Sequence, residues 1–228
     1  VMLLAYLRTP DPALADGYLR AAGQYIARYA KLLGPYPYAK FAVVENFWQS
    51  GYGMPSFTLL GSEILRFPFI IYTSYPHEIL HDWWGNGVFV DYGSGNWSEG
   101  LTAYLSDYMG RAQRGKGSEY RRDTLQKYAD FVAAGRDFPL SEFSARNSQA
   151  SEAVGYGKGM MLFHMLRRRL GDAAFVSVLR RFYHDYVFRY AGFDDIRREV
   201  ERVAGGDWRP FFRQWVDRTG APILTVGG

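Results

Sequence analysis

The chain has 228 residues, of which 48% are apolar and 18% aromatic, with no cysteine and a net charge of +4. Such a composition is typical of a globular protein with a sizeable core, and the absence of cysteine excludes disulfide bonds and thiolate metal sites. The longest apolar runs, such as residues 67–72, are too short for a helix that crosses a bilayer. Acidic residues are interspersed among the many arginines, which favours solvated helix faces over a nucleic-acid surface.

The N-terminal part of the chain combines strand and helix patterns. Residues 1–8 predict a short strand, and apolar residues then recur every three or four positions over residues 14–33, as on one face of a helix. A glycine and two nearby prolines end that helix. Apolar, β-branched and aromatic residues predict two further strands, at 41–44 and 54–60, the second at a sheet edge because it contains Pro55.

The rest of the chain is mostly helical in its pattern. A helix is predicted from near Thr73 to near Gly85, with Pro76 in its first turn, where the missing N–H is harmless. After a short extended piece and a loop, helical periodicity runs over residues 99–212, with glycine-rich breaks. Residues 223–226 predict a closing extended tail.

This order of elements predicts an α+β fold that is mainly helical. We expect a single domain over residues 1–228, in which a strand-bearing lobe at 1–90 carries the helix near residue 80 and a helical lobe follows at 91–228. A substrate cleft is expected between the two lobes.

Two histidines four residues apart form the most informative motif. His77 and His81 share one face of the predicted helix, with Cβ atoms about 5–6 Å apart, so both can bind one ion. Glu99, on the next predicted helix, can complete a site of two imidazoles and a carboxylate with an open position for water. Glu78 is rotated about 100° off the ligand face and can reach that water, as in zinc peptidases with a His-Glu-x-x-His motif. A surface helix with two histidines is the plain alternative, but two of only four histidines lie here.

Several segments resemble one family in combination. Residues 77–86 (HEILHDWWGN) and 97–100 (WSEG) are similar to the zinc aminopeptidases of the membrane alanyl aminopeptidase and leukotriene hydrolase family, which are gluzincins with a thermolysin-like catalytic domain. Further similarity lies at residues 33–38, 156–159, 162–175, 211–215 and 220–222. The resemblance covers nearly the whole chain but not the family's N-terminal β-rich domain, so we expect a domain upstream of Val1.

The resemblance implies a role for each residue of the motif. His77, His81 and Glu99 would hold one zinc ion per chain, and Glu78 would activate a water bound to it. Tyr156 would donate its phenol hydrogen to the oxyanion that forms when this water attacks a peptide carbonyl. Without the resemblance, Tyr156 would be read as a packing residue, because the chain has 18 tyrosines.

The substrate-binding segment departs from the family pattern. By resemblance, Gly53 and Met54 would line the substrate. The family's G-A-M-E-N segment is represented here by residues 52–56 (YGMPS), so Pro55 stands where a glutamate anchors the free N-terminal amine. The spacing from the second histidine to the glutamate ligand is also one residue shorter, and the loop at 91–96 must absorb the difference.

The resulting prediction is a zinc metallopeptidase, a hydrolase that cleaves peptide bonds and resembles aminopeptidases. One alternative is an endopeptidase or another hydrolase that uses the same zinc site, because Pro55 can bind no amine. A second is a non-catalytic scaffold that kept the fold. The expected partner is a peptide substrate, with no nucleic acid and no membrane span, and the sequence leaves oligomeric state and compartment open. His164 and His184 are predicted to be packing or surface residues rather than ligands.

Overall fold

In the computed structural model, residues 1–132 and 135–223 are described, and the chain divides into two compact units. One unit comprises Val1–Phe89 and Tyr183–Arg189, and the other comprises Val90–Phe182 and Tyr190–Gly228. The prediction of a mainly helical α+β fold with its strands concentrated in the N-terminal part is confirmed. The predicted tail at 223–226 lies, apart from its first residue, outside the described residues.

The first unit is built on a four-stranded sheet. Its elements are β1 (Met2–Tyr6), α1 (Pro12–Leu33), β2 (Lys40–Asn46), β3 (Gly51–Met54), β4 (Phe57–Gly61), α2 (Ser74–Leu80) and β5 (Trp84–Gly85), followed by β6 (Val88–Val90). The strand order is β1-β2-β4-β3, in which β1, β2 and β4 are parallel and β3 is antiparallel to β4. The strand β3 is therefore an edge of the sheet.

The first helix follows the predicted pattern. The Asp11 side chain caps α1 by accepting a hydrogen bond from the Leu14 amide at 3.0 Å, and Pro12 occupies the first turn. Gly34, with φ of 138°, ends the helix in a conformation that favours glycine. The buried face of α1 presents Tyr18, Ala21, Ala22, Ile26, Tyr29 and Leu33. This face contributes much of the first unit's core and confirms the helix predicted at 14–33.

The strand predicted at 54–60 is interrupted near its start. In the structure β3 ends at Met54 and β4 begins at Phe57, and these two residues pair across a turn formed by Pro55 and Ser56. Ser56 has a φ of 69°, so the chain reverses here instead of continuing as one strand. The prediction of a single strand through Pro55 is wrong for this reason.

The second unit is helical. The remaining elements are α3 (Trp97–Thr102), α4 (Met109–Ala112), α5 (Gly117–Phe131), α6 (Gln149–Glu152), α7 (Gly159–Leu170), α8 (Asp172–Tyr186), β7 (Tyr190–Ala191), α9 (Phe193–Ala204) and α10 (Arg209–Phe212). π-Helical segments follow α3, α6 and α10 directly, at Ala103–Tyr108, Ala153–Lys158 and Arg213–Asp217. π-Helical turns are rare in proteins, and many of those that occur lie at functional sites.

The helices α3 and α7 meet backbone to backbone. A Cβ atom added at Gly100 would lie 2.7 Å from the Cα atom of Gly159, so only glycine allows this approach. The indole N–H of Trp97, a fully buried side chain, donates to the Ala191 carbonyl at 2.6 Å. These contacts fix the first turn of α3. Within the part of the chain that the structure describes, no helix is long and apolar enough to cross a membrane.

Candidate metal centre

The helix α2 carries the two histidines of the motif. It ends at Leu80, with His81 still in helical conformation (φ −59°, ψ −19°), so the four-residue spacing of His77 and His81 is kept. The predicted end near Gly85 is wrong because the helix tightens after His81. The amides of Asp82 and the next residue bond to carbonyls three residues back, at 3.1 and 3.0 Å, and the chain then leaves the helix.

Three predicted ligands come together in one group. One ligand atom from each of His77, His81 and Glu99 lies within 4.8 Å of the others. The two imidazole rings are 4.9 Å apart between centroids and inclined at 73°, and each histidine is only 9% exposed. Two nitrogens and one carboxylate suit zinc, whereas magnesium and calcium prefer all-oxygen shells. The residues present therefore fit the predicted cofactor.

The orientation of His81 is fixed by a contact on the far side of its ring. Its Nδ1 atom lies 2.9 Å from the Trp84 carbonyl oxygen. A carbonyl oxygen only accepts hydrogen bonds, so Nδ1 carries the proton and Nε2 keeps its lone pair for a metal. The turn after α2 thus sets the tautomer that a ligand requires.

The edge strand β3 lies directly against Glu78. A Cβ atom added at Gly51 would be 3.1 Å from the Glu78 carboxylate, and one added at Gly53 would be 2.9 Å from the Glu78 carbonyl oxygen. The same Gly53 atom would lie 2.8 Å from the Cβ of His81. A side chain at Gly53 would push the strand away from the helix, and one at Gly51 would displace the Glu78 carboxylate. Glycine therefore brings the main chain of β3 alongside the predicted base.

Glu99 is held by the capped start of α3. Asn96 caps this helix by accepting from the Ser98 amide at 3.1 Å and from the Ser98 hydroxyl at 2.7 Å. The preceding Gly95 has a φ of 95°, and a Cβ there would lie 2.3 Å from the Leu140 carbonyl oxygen. The loop at 91–96 thus enters the helix through a glycine turn and an asparagine cap, and Glu99 lies in the first helical turn.

Asp82 is a charged residue of this region that lies outside the His-Glu-x-x-His motif. Its side chain is fully buried, and its two oxygens accept hydrogen bonds from the Ser56 amide at 2.8 Å and the Tyr36 hydroxyl at 2.9 Å. Burial raises the pKa of Asp82 to about 7, although these two hydrogen bonds and the nearby His81 and Lys40 oppose the rise. The available signal was an aspartate directly after the second histidine, within a run of otherwise apolar residues.

Tyr156 lies on the π-helical segment Ala153–Lys158. Its ring makes an edge contact with Phe143 at 6.2 Å, and the Arg146 guanidinium lies over it at 5.8 Å. Its predicted role stays a prediction.

The two other histidines belong to different environments. His164 makes edge contacts with the rings of Tyr104 and Tyr108, at centroid distances of 6.0 and 5.2 Å. Burial and three nearby arginines lower the pKa of His164 to about 4. His184 is exposed and contacts Asp185 at 2.7 Å. Neither belongs to the group of possible ligands found in the described residues.

The chain is similar to known proteins over the segment that carries the candidate ligands. The sequence pattern of the peptidase family M1 domain matches residues 71–215, which include α2 and α3. The chain belongs to peptidase family M1. Mitochondrial aminopeptidase 2 of Saccharomyces cerevisiae is 25% identical over 157 residues, which are 66% of this chain and 16% of that protein. Aminopeptidase RNPEPL1 of Homo sapiens is 24% identical over 231 residues, covering 89% of this chain and 31% of that protein.

Solved structures of similar fold are zinc peptidases and a related hydrolase. The M1 zinc metallopeptidase from Deinococcus radiodurans superposes with a TM-score of 0.64 at 22% identity, over 96% of this chain and 47% of that one. Native yeast LTA4 hydrolase superposes with a TM-score of 0.71 at 17% identity, over 93% and 37%. These similarities show the fold. The chain spans less than a fifth of the length of the yeast and Lactococcus lactis aminopeptidases that it matches.

Proposed function

We propose that this chain is a zinc-dependent metallopeptidase domain that hydrolyses peptide bonds. The observation that carries the proposal is the group formed by His77, His81 and Glu99, with Glu78 on the same helix as the histidines. When bound there, zinc supplies a Lewis acid that lowers the pKa of a bound water towards about 7. Membership of peptidase family M1 supports the same reaction.

Glu78 is proposed as the general base. Its carboxylate would accept a proton from the attacking water and deliver it to the leaving amine. The main chain of β3 beside this carboxylate supports the role, because a substrate aligned on Gly51 and Gly53 would lie next to Glu78. Tyr156 is proposed to donate its hydroxyl hydrogen to the oxyanion, where such a donor stabilises the developing charge most strongly.

The free edge of β3 supports an extended substrate. The Gly61 amide donates to the Ser50 carbonyl at 3.0 Å beside the Gly51–Leu60 pair. In this hydrogen-bonding pattern, the N–H and C=O groups of Gly51 and Gly53 point away from β4. The Gly53 carbonyl accepts a bond from Asn86 at 3.2 Å on that outer side. The remaining outer groups can pair with the backbone of a peptide, in the manner of an added strand.

The choice between exopeptidase and endopeptidase activity depends on how a free N-terminal amine would be bound. An aminopeptidase must compensate the charge of a free amine, since an uncompensated charge held away from water is unfavourable. Pro55 offers no carboxylate and lies in the turn that closes β3. Glu45, a nearby acid, already accepts hydrogen bonds from the Arg66 side chain and the Arg8 amide, both at 2.7 Å, and Glu63 is exposed. An endopeptidase, or a peptidase with low selectivity for free N-termini, is therefore the second candidate.

A pair of glutamate variants tests the reaction itself. Glu78→Gln is expected to retain zinc and to lose peptide hydrolysis by about 10²–10⁴-fold, because the amide keeps the shape but removes the base. Glu63→Gln, which changes an exposed glutamate of the same unit, is the control and should hydrolyse at the wild-type rate. Zinc-loaded wild-type protein that cleaves no peptide would instead favour the non-catalytic scaffold.

A matched set of substrates tests which end is cut. Amino-acyl arylamides and short peptides are assayed with free and with acetylated N-termini. Comparable rates for both forms would support the second candidate, because acetylation removes the charge that an amine anchor recognises. Efficient cleavage of only the free-amine substrates would support aminopeptidase activity and would require an anchor other than residue 55.

A further inference from the structure

We infer that Asp82 is a positioning residue that clamps the turn closing β3 and thereby fixes the strand on which the substrate is proposed to lie. The inference rests on the proposed function for its effect on substrate. The clamp itself is a set of contacts within the first unit.

The clamp joins Asp82 to Ser56, which lies 26 residues earlier in the chain. One oxygen of the Asp82 carboxylate accepts from the Ser56 amide at 2.8 Å, and the other accepts from the Tyr36 hydroxyl at 2.9 Å. The Ser56 carbonyl accepts from the Lys40 ammonium at 3.2 Å and from the Ala42 amide at 3.1 Å. Ser56 is thus held at both its N–H and its C=O. The Asp82 contact holds the Ser56 N–H, and the Lys40 and Ala42 contacts hold its C=O.

The residue that is clamped occupies a conformation it does not favour. Ser56 has a φ of 69°, a region where only glycine lies without penalty and asparagine or aspartate is tolerated. A turn whose second central residue has positive φ normally contains glycine at that position. The bond from the Ser56 amide to Asp82 compensates for the missing glycine. Without it, the turn would sample other conformations, and the pairing of Met54 with Phe57 would loosen.

The position of the clamp gives it a functional consequence. Asp82 directly follows His81, and a Cβ at Gly53 would lie 2.8 Å from the His81 Cβ. The two residues that follow the C-terminal end of α2 therefore have linked roles. His81 is a candidate metal ligand that contacts β3, and Asp82 binds the turn that follows β3. Releasing the turn would displace the outer N–H and C=O groups of β3 relative to Glu78 while leaving the ligands on their helix. A peptide that pairs with this edge should then bind less well, although the chemical step is preserved.

Four variants test the clamp. Asp82→Ala should raise the KM for peptide substrates by about tenfold, with kcat within about twofold of wild type and zinc content unchanged. Asp82→Asn should stay near the wild-type KM, because its amide oxygen still accepts from Ser56. Tyr36→Phe removes the other bond of the same carboxylate and should also leave KM unchanged. Adding Ser56→Gly to Asp82→Ala should recover most of the lost binding, since Pro-Gly forms such a turn unaided.

Each result decides the inference. Equal KM values for Asp82→Ala and wild type, or a KM for Tyr36→Phe as high as that of Asp82→Ala, would overturn it. If Asp82→Ala does not fold, the double variant carries the test: a near wild-type KM supports the clamp, and a tenfold higher KM refutes it.

Amide hydrogen exchange of residues 53–58 separates this inference from the proposed reaction. It is measured on the same variants and requires no catalysis, so it decides the inference even if wild-type protein cleaves no peptide. Faster exchange in Asp82→Ala, but not in Asp82→Asn or Tyr36→Phe, supports the clamp. Unchanged exchange in Asp82→Ala, or an equal increase in Tyr36→Phe, contradicts it.

Discussion

Gly53 lies so close to His81 that a Cβ atom at position 53 would come within 2.8 Å of the His81 Cβ. The main chain of a sheet edge thus contacts the helix that carries two of the candidate zinc ligands, with no side chain between them. The contact explains why glycine occupies position 53 although glycine weakens strands.

Gly53→Ala is therefore expected to be disruptive. The added methyl group must displace either the backbone of α2 or β3, and overpacking of this kind typically lowers the free energy of unfolding by about 1–3 kcal/mol. Chemical denaturation measures the change. Gly110→Ala is the matched control, because it lies in α4 with nothing within 4 Å of its added Cβ. That substitution should leave stability equal or raise it by up to about 1 kcal/mol. Equal effects of both substitutions would show that the close contact is not maintained in solution.

Metal binding should depend on the histidines of α2. Purified protein is expected to contain about one zinc per chain, and His81→Ala should lose it because only two protein ligands remain. His184→Ala, which removes an exposed histidine, should retain the metal. Elemental analysis after dialysis measures both. Retention of zinc by the two variants alike would exclude the group of His77, His81 and Glu99 as the principal site.

Tyr156→Phe should slow peptide hydrolysis without removing zinc. Its proposed hydrogen bond forms mainly in the transition state, so kcat should fall with little change in KM. The loss expected for one oxyanion donor is about 10²–10³-fold. A variant with wild-type kcat would return Tyr156 to a packing role against Phe143.

Protonation of His164 should contribute to loss of stability in acid. The pKa of His164 is lowered to about 4 in the folded protein, below its ordinary value of 6.5. The unfolded chain therefore binds more protons between these values, and stability falls as pH decreases from about 6.5 to about 4. His164→Phe, which keeps a ring against Tyr104 and Tyr108, should show a shallower fall. Denaturation midpoints for both proteins across this range measure the difference, and comparing them cancels the acid effects that they share. Parallel curves would contradict the prediction.

The sequence predicted the parts of the site that depend on local spacing. The four-residue interval between His77 and His81 places both rings on one helical face, and this needs no tertiary information. The end of α2 was misplaced because it depends on turn contacts of His81 with the residues that follow. The role of Asp82 and the close approach of Gly53 were not foreseen, because each joins segments more than 25 residues apart. The turn at Ser56, which divides the predicted strand into β3 and β4, could not be predicted because the sequence has no glycine there.

The backbone contact between Gly100 and Gly159 has a consequence for how the protein tolerates mutation. Glu99 precedes a glycine whose backbone approaches the main chain of α7 with no side chain between them. Apolar side chains away from this contact can change in size and be partly accommodated by their neighbours. Gly100 and Gly159 cannot be exchanged in this way, because no change at one of them makes room for a side chain at the other. A deep mutational scan should therefore find Gly100 and Gly159 less tolerant of substitution than apolar positions away from this contact.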